Sequence, residues 1–87
     1  MNTESRTIID VRSPQEFQGG HAEGSINIPL DIIASEVDEI KNMSQPIVLC
    51  CASGNRSGMA QQLLHQVGID THNAGPWFEA QNFKTEG

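Results

Sequence analysis

The stretch Pro46-Ile47-Val48-Leu49-Cys50-Cys51-Ala52-Ser53-Gly54-Asn55-Arg56-Ser57 decides the reading of this chain. Ile47 to Cys50 follow a proline as an unbroken apolar run, the pattern of a strand buried on both faces within a parallel sheet. Cys51-Ala52-Ser53-Gly54-Asn55 are small and turn-prone, so the strand is expected to end at Cys50. Met59, Ala60, Leu63, Leu64 and Val67 then supply the buried side of a helix over 56–67, with Gly68 as its stop. A cysteine therefore stands where a central strand gives way to a helix. In open α/β sheets, ligands bind at this end of the strands.

Working outward, Thr7–Val11 is β-branched and reads as a strand. Ser13-Pro14-Gln15-Glu16 then forms a capping box with proline at the first helical position, and Gly19-Gly20 ends the short helix it opens. Ser25–Ile28 alternates like a short strand and stops at Pro29. Leu30, Ile33, Val37 and Ile40 share one face of an amphipathic helix predicted over 30–41. After the central strand and its helix, Ile69–Ala74 is a strand candidate, Gly75-Pro76 a turn, and Trp77–Phe83 a last short helix. The tail Lys84–Gly87 is expected to fray. Strands alternate with helices, so the expected fold is a small α/β domain with a mostly parallel central sheet flanked by helices. The 87 residues read as one domain over 1–87, with its core at about 7–82.

Composition narrows the function. Five Lys+Arg stand against eleven Asp+Glu, a net charge of −6. Such a surface repels phosphate backbones and anionic lipid, so neither nucleic acid nor a membrane is an expected partner. No apolar run approaches the ~18 residues of a membrane span. Met1–Thr7 lacks a basic region followed by a long apolar run, so the expected location is the cytoplasm, or the periplasm if a signal has been removed from a longer precursor. Cys50 and Cys51 are the two cysteines. As chain neighbours their Cα atoms lie ~3.8 Å apart, below the ~4.4 Å at which ordinary disulfides begin. That fits a reducing compartment. Two adjacent cysteines with His21, His65 and His72 do not make a zinc-ligand spacing, so no metal site is expected.

The loop itself carries the chemistry. Its backbone N–H groups can turn inward around one centre and, with the following helix N-terminus, stabilise an anion. Arg56 adds a fixed positive charge. The same field depresses the pKa of Cys51 toward the thiolate. Cys50 reads as a small buried hydrophobe. Ser57 either caps the helix or contacts the reacting sulfur.

Cys51-Ala52-Ser53-Gly54-Asn55-Arg56-Ser57 resembles the active-site loop of the rhodanese family, Cys-x-x-Gly-x-Arg-Ser. Ile9-Asp10-Val11-Arg12 with Glu16-Phe17 resembles the family's first signature. Gly20-His21-Ala22-Glu23-Gly24-Ser25-Ile26-Asn27-Ile28-Pro29 resembles its Gly-His-Ile-x-Gly-Ala-x-Asn-Ile-Pro motif. The resemblance runs over about residues 7 to 82, and the chain is similar to the minimal single-domain members. Two positions depart from the pattern: Gly75-Pro76-Trp77 replaces a Gly-Gly-aromatic, and Cys50 stands where an aromatic often precedes the nucleophile.

The resemblance implies a thiosulfate:cyanide sulfurtransferase in which Cys51 takes sulfur from a small anionic donor, holds it as a persulfide, and passes it to cyanide, a thiol or a protein acceptor. Ala52, Ser53, Gly54, Asn55, Arg56 and Ser57 would form the binding loop, with Cys50 and Trp77 as accessory candidates. No organic cofactor or metal is implied, and a monomer suffices. Asp10, Arg12 and Glu16 are expected to brace strand against helix. His21, Gly24, Asn27 and Pro29 are expected to support turns and backbone, and Trp77 and Phe78 to close the core. Three alternatives stay open. One is a non-catalytic interaction or regulatory domain. Another is a cysteine phosphatase or arsenate reductase, because Cys50-x5-Arg56-Ser57 formally fits that signature, although its glycine lies one place late and no histidine precedes it. The third is a redox pairing in which Cys50 resolves an oxidised or persulfidated Cys51.

Overall fold

The computed structural model describes residues 6–83. The tail Lys84–Gly87 and the first five residues lie outside the described residues. Among the described residues, four strands, β1 (Thr7–Asp10), β2 (Ile26–Asn27), β3 (Ile47–Cys51) and β4 (Thr71–Pro76), form one sheet in the order β2-β1-β3-β4. Every pairing is parallel. β3 is central and buried along its whole length, as its apolar run requires. It runs one residue further than expected: Cys51 is the last strand residue, in register with Pro76 at the end of edge strand β4. A proline at the end of an edge strand costs no interior ladder bond.

Among the described residues, four α-helices accompany the sheet: α1 (Pro14–Gln18), α2 (Val37–Lys41), α3 (Asn55–Gln66) and α4 (Trp77–Ala80). The capping box of α1 forms as read, with Ser13 Oγ accepting from the Glu16 N–H and the Glu16 carboxylate accepting from the Ser13 N–H. The single helix expected over 30–41 does not form. Leu30–Glu36 is a 3₁₀ segment, and only Val37–Lys41 is α-helical. Ser35 Oγ donates to the Ile32 carbonyl at 2.8 Å, a local side-chain bond within that segment. Ile33 and Ile40 still reach the core.

The sheet divides the interior in two. One cluster holds Ile9, Val11, Ile47, Leu49 and Cys51 under Ile33, Ile40, Ala60 and Leu64. The other holds Ile8, Val48, Cys50, Ala74 and Ala80, with Trp77 and Phe83 packed against it. Successive residues of a strand point to opposite faces, so the neighbouring cysteines belong to different cores. Three residues expected inside fail on burial. Met59 is 57% exposed and Phe78 62% exposed, so neither closes a core. Val67 is also exposed. The buried stripe of α3 is Ser57, Ala60 and Leu64, rotated away from Met59 by a polar residue facing inward at the helix start.

Arg6 donates to the Phe83 and Gln81 carbonyls, tying the two ends of the described chain together. Asn27 Nδ2 donates to the carbonyls of Asp10 and Arg12, and His21 stacks on Phe17 while its Nδ1 meets the Phe17 carbonyl, which supports both turns as expected. No helix among the described residues is long and apolar enough to cross a membrane.

Candidate active site

Cys51 Sγ sits at the end of β3, on the inner side of the loop that leads into α3. The Gly54 N–H donates to it at 3.0 Å, and the Ser57 hydroxyl lies 3.5 Å away. Burial by itself would raise this thiol. The Ser57 hydroxyl and the backbone N–H groups of Ser57, Gly54 and Ser53 outweigh that effect and bring Cys51 from 9.0 down to about 7. The N–H groups act as the sequence suggested: donors fixed by a tight turn stabilise an anion without having to reorganise. Gly54 makes the turn possible. Its φ of 113° is left-handed, and a Cβ there would meet Gly75 Cα at 3.3 Å.

Ala52, Ser53 and Asn55 are exposed on the outside of the loop, and Gly54 is half-buried. Ser57 is fully buried and caps nothing with its side chain, since Gly54 is the N-cap of α3. Of its two sequence readings, the structure favours contact with the sulfur.

Arg56 has a partner that the sequence reading did not name. Both its Nη atoms bind the Glu16 carboxylate, at 2.8 and 3.1 Å. Arg56, then the Ser13 N–H, holds Glu16 at about 2, so the carboxylate stays ionised throughout the physiological range. The expected Asp10–Arg12–Glu16 brace is thereby split. Asp10 and Arg12 form a buried pair of their own, with Arg12 Nε and Nη2 on the carboxylate and Nη2 also on the Gly20 carbonyl. Glu16 serves α1 as a cap and the loop as the partner of Arg56.

The accessory candidates fall on the other face. Cys50 is fully buried in the second cluster. Burial, then the Asp10 carboxylate, pushes its thiol up to about 12, against the opposing Arg12 guanidinium. A neutral, enclosed thiol is unsuited to attack or to resolve anything on Cys51. Trp77 packs against the same cluster, with the Arg12 guanidinium 4.9 Å from its ring centre. Phe78 meets Trp77 edge-on at the surface.

Sequence reasoning missed Asn73. From β4 it accepts the Ser57 hydroxyl proton at 2.7 Å and the Gly75 N–H at 3.0 Å, and it donates to the Gly54 carbonyl at 3.1 Å. The available signal was a polar residue inside the strand pattern Ile69–Ala74, two positions before Gly75. Two open depressions flank the loop. One, of about 350 Å³, is lined by Val11, Ser13, Pro29, Leu30, Asp31 and Arg56, and one of about 510 Å³ by Gly54, Asn55, Gly58, Met59 and Gln62.

Comparison with known proteins follows the same lines. A family model described as a rhodanese-like domain matches residues 1–75. An uncharacterised protein of Bacillus subtilis, YqhL, is 44% identical over 61 residues, covering 70% of this chain and 48% of that protein. The thiosulfate sulfurtransferase PspE of Escherichia coli is 36% identical over 70 residues, covering 77% of this chain and 66% of that protein. In both cases less than two thirds of the relative's length is matched. Among solved structures, a rhodanese with anions from E. coli superposes with a TM-score of 0.79 at 29% identity, covering 95% of this chain and 100% of that one.

Proposed function

The chain belongs to the rhodanese-like family, and on that premise we propose that it is a sulfurtransferase that carries sulfur as a persulfide on Cys51. The observation that carries this reading is the Gly54 N–H on Cys51 Sγ at 3.0 Å, within a turn whose N–H groups bring the thiol to about 7. At neutral pH about half of such a thiol is thiolate, against a few per cent of an ordinary one.

The chemistry then runs in two displacements at sulfur. The Cys51 thiolate attacks the outer sulfur of a small anionic donor such as thiosulfate. A sulfur–sulfur bond forms to Sγ, the donor's own sulfur–sulfur bond breaks, and sulfite leaves with the electron pair. The terminal sulfur of the persulfide now bears the charge. A thiol or cyanide acceptor attacks that sulfur, and Sγ leaves as the thiolate the loop is built to hold. The same donors stabilise charge on sulfur at both ends of the cycle, which lowers both barriers. The four residues between Cys51 and Arg56 enclose a small centre, suited to one sulfur atom. The acceptor, whether small thiol or protein, would approach over the two depressions beside Arg56 and Gly54.

The test is the intact mass of the protein after incubation with thiosulfate. One added sulfur atom in the wild type and in Cys50→Ala, absent in Cys51→Ser, is the expected result. Thiocyanate release on adding cyanide would show turnover. A wild type that gains no sulfur from thiosulfate or from 3-mercaptopyruvate overturns the proposal.

A further inference from the structure

Ser57 has one hydroxyl proton and two acceptors within reach. Asn73 Oδ1 is 2.7 Å from its oxygen and Cys51 Sγ 3.5 Å. The orientation of the Asn73 amide is fixed by its other neighbours. Gly75 N–H is a donor only and faces Oδ1, while the Gly54 carbonyl is an acceptor only and faces Nδ2. A flipped amide would set N–H against N–H and oxygen against oxygen, so Oδ1 must face Ser57. An amide oxygen can only accept, so the Ser57 proton points at Asn73 whenever the sulfur does not claim it. The serine's lone pairs are then turned toward Sγ, where they accept from a thiol but oppose a thiolate.

We propose that Asn73 is a positioning residue for Cys51: it holds the Ser57 proton while Sγ is uncharged and yields it when Sγ carries the charge. The proposal rests on Cys51 being the reacting sulfur, as above. In a persulfide cycle the charge moves from Sγ to the terminal sulfur and back. A hydroxyl that can turn between a neutral acceptor and Sγ follows that charge without leaving a buried donor unpaired in either state. Asn73 also ties the loop at Gly54 to β4 at Gly75, so the rotor and the N–H groups share one anchor.

The other groups around the sulfur do not supply this switch. From α3, Arg56 acts on Cys51 electrostatically, but its guanidinium is engaged by Glu16 of α1. On the far face, Asp10 and Arg12 act on Cys50. Cys50 stays neutral below about 12. Gly54 and Ser53 present fixed N–H groups.

The experiment is a double-mutant cycle read by the pH profile of Cys51 alkylation with iodoacetamide and by thiolate absorbance, both independent of sulfur transfer. Asn73→Ala is made with Ser57 intact and in the Ser57→Ala background, and circular dichroism confirms folding. Freed of its amide acceptor, Ser57 donates wholly to the thiolate. The Asn73→Ala shift in midpoint should therefore lie lower with Ser57 present than in the Ser57→Ala background, by about half a pH unit, roughly threefold in thiolate at low pH. Asn73→Asp keeps a stronger acceptor, so its coupling to Ser57 should have the opposite sign, and it stands in if Asn73→Ala does not fold. Equal shifts in the two serine backgrounds overturn the positioning role. They would do so even if thiosulfate loads sulfur onto Cys51, and a coupled shift would stand even if it does not.

Discussion

On one face of the sheet, Cys51 ends β3 with backbone N–H groups and the Ser57 hydroxyl around its sulfur, and its thiol falls to about 7. On the other face, Cys50 lies among Ile8, Val48, Ala74 and Ala80, and its thiol rises to about 12. Both residues are buried, at 0% exposure for Cys50 and 1% for Cys51. Burial raises both thiols, so burial does not distinguish them. The difference comes from what the strand's alternation points each side chain toward: the donors of a tight turn in one case and an apolar layer in the other. One peptide unit of displacement thus separates a thiol held near neutral pKa from one kept protonated.

The largest effect that would break this comparison is chemical. Cys51→Ser should abolish sulfur loading and neutral-pH alkylation, a loss of at least about 10³-fold in rate, because a serine hydroxyl is not ionised at pH 7. Cys50→Ala should retain most of the wild-type rate. A Cys50→Ala protein that folds but loses alkylation would place the reactive sulfur on the wrong face.

The two faces also differ in their ion pairs. Asp10 and Arg12 are sealed, with side-chain exposures of 0% and 6%, whereas Arg56 and Glu16 are exposed by 36% and 38%. Removing one partner of a buried pair strands the other charge, so Asp10→Ala should cost about 3–5 kcal/mol in urea unfolding. Glu16→Gln breaks a pair that water already screens, and its urea midpoint should move far less. Comparable losses in the two variants would show that the exposed pair also fastens the loop to α1.

The pH dependence of stability gives a third contrast, with opposite signs for the two thiols. Cys51 has a folded pKa of about 7 below an ordinary 9.0. Between those values the unfolded chain binds more protons, so stability rises with pH across that window and is lost as pH falls through 7. Cys50 has a folded pKa of about 12 above an ordinary 9.0. There the folded chain binds more protons, and stability present below 9 is lost as pH rises toward 12. Cys51→Ser should remove the rising limb and Cys50→Ala the falling limb in urea midpoints taken from about pH 6 to 11. If one substitution removed both limbs, the two thiols would not titrate independently.

Much of this was legible because it is local. The apolar run into Cys51, the small loop with its glycine, and the capping box at Ser13 and Glu16 each declare themselves within a few residues. The parallel sheet with helices follows from their alternation. What stayed hidden depends on pairing across the chain. Arg56 finds Glu16 40 positions away, and Ser57 finds Asn73 16 positions away. No periodicity encodes either meeting, since both arise only when α1 and β4 are brought to the end of β3. The 3₁₀ segment was hidden for a different reason: the spacing of Leu30, Ile33, Val37 and Ile40 reports which residues face the core and not the backbone hydrogen-bond pattern, which over Leu30–Glu36 is the tighter one.

The smallest effects concern two apolar residues that were expected inside, Met59 by the amphipathic pattern of its helix and Phe78 as a residue closing the core beside Trp77. Met59 belongs to the helix above the Cys51 face and Phe78 to the helix that follows β4 on the Cys50 face, and both are exposed by more than half. The error at Met59 lies in which residues face inward. Counting only apolar residues puts Met59 with Ala60 and Leu63, but Ser57 is buried and faces the Cys51 sulfur. The inward stripe therefore runs Ser57, Ala60, Leu64, leaving Met59 beside the groove at Gly54. If the site sets the helix's rotation in this way, Met59→Gln and Phe78→Ser should each change unfolding free energy by less than about 0.5 kcal/mol, as surface substitutions do. Ala60→Ser, by contrast, would push a hydroxyl into the packed core and cost about 1–3 kcal/mol. A large loss at Met59 would mean that hydrophobic burial, rather than the serine's engagement with the sulfur, orients α3.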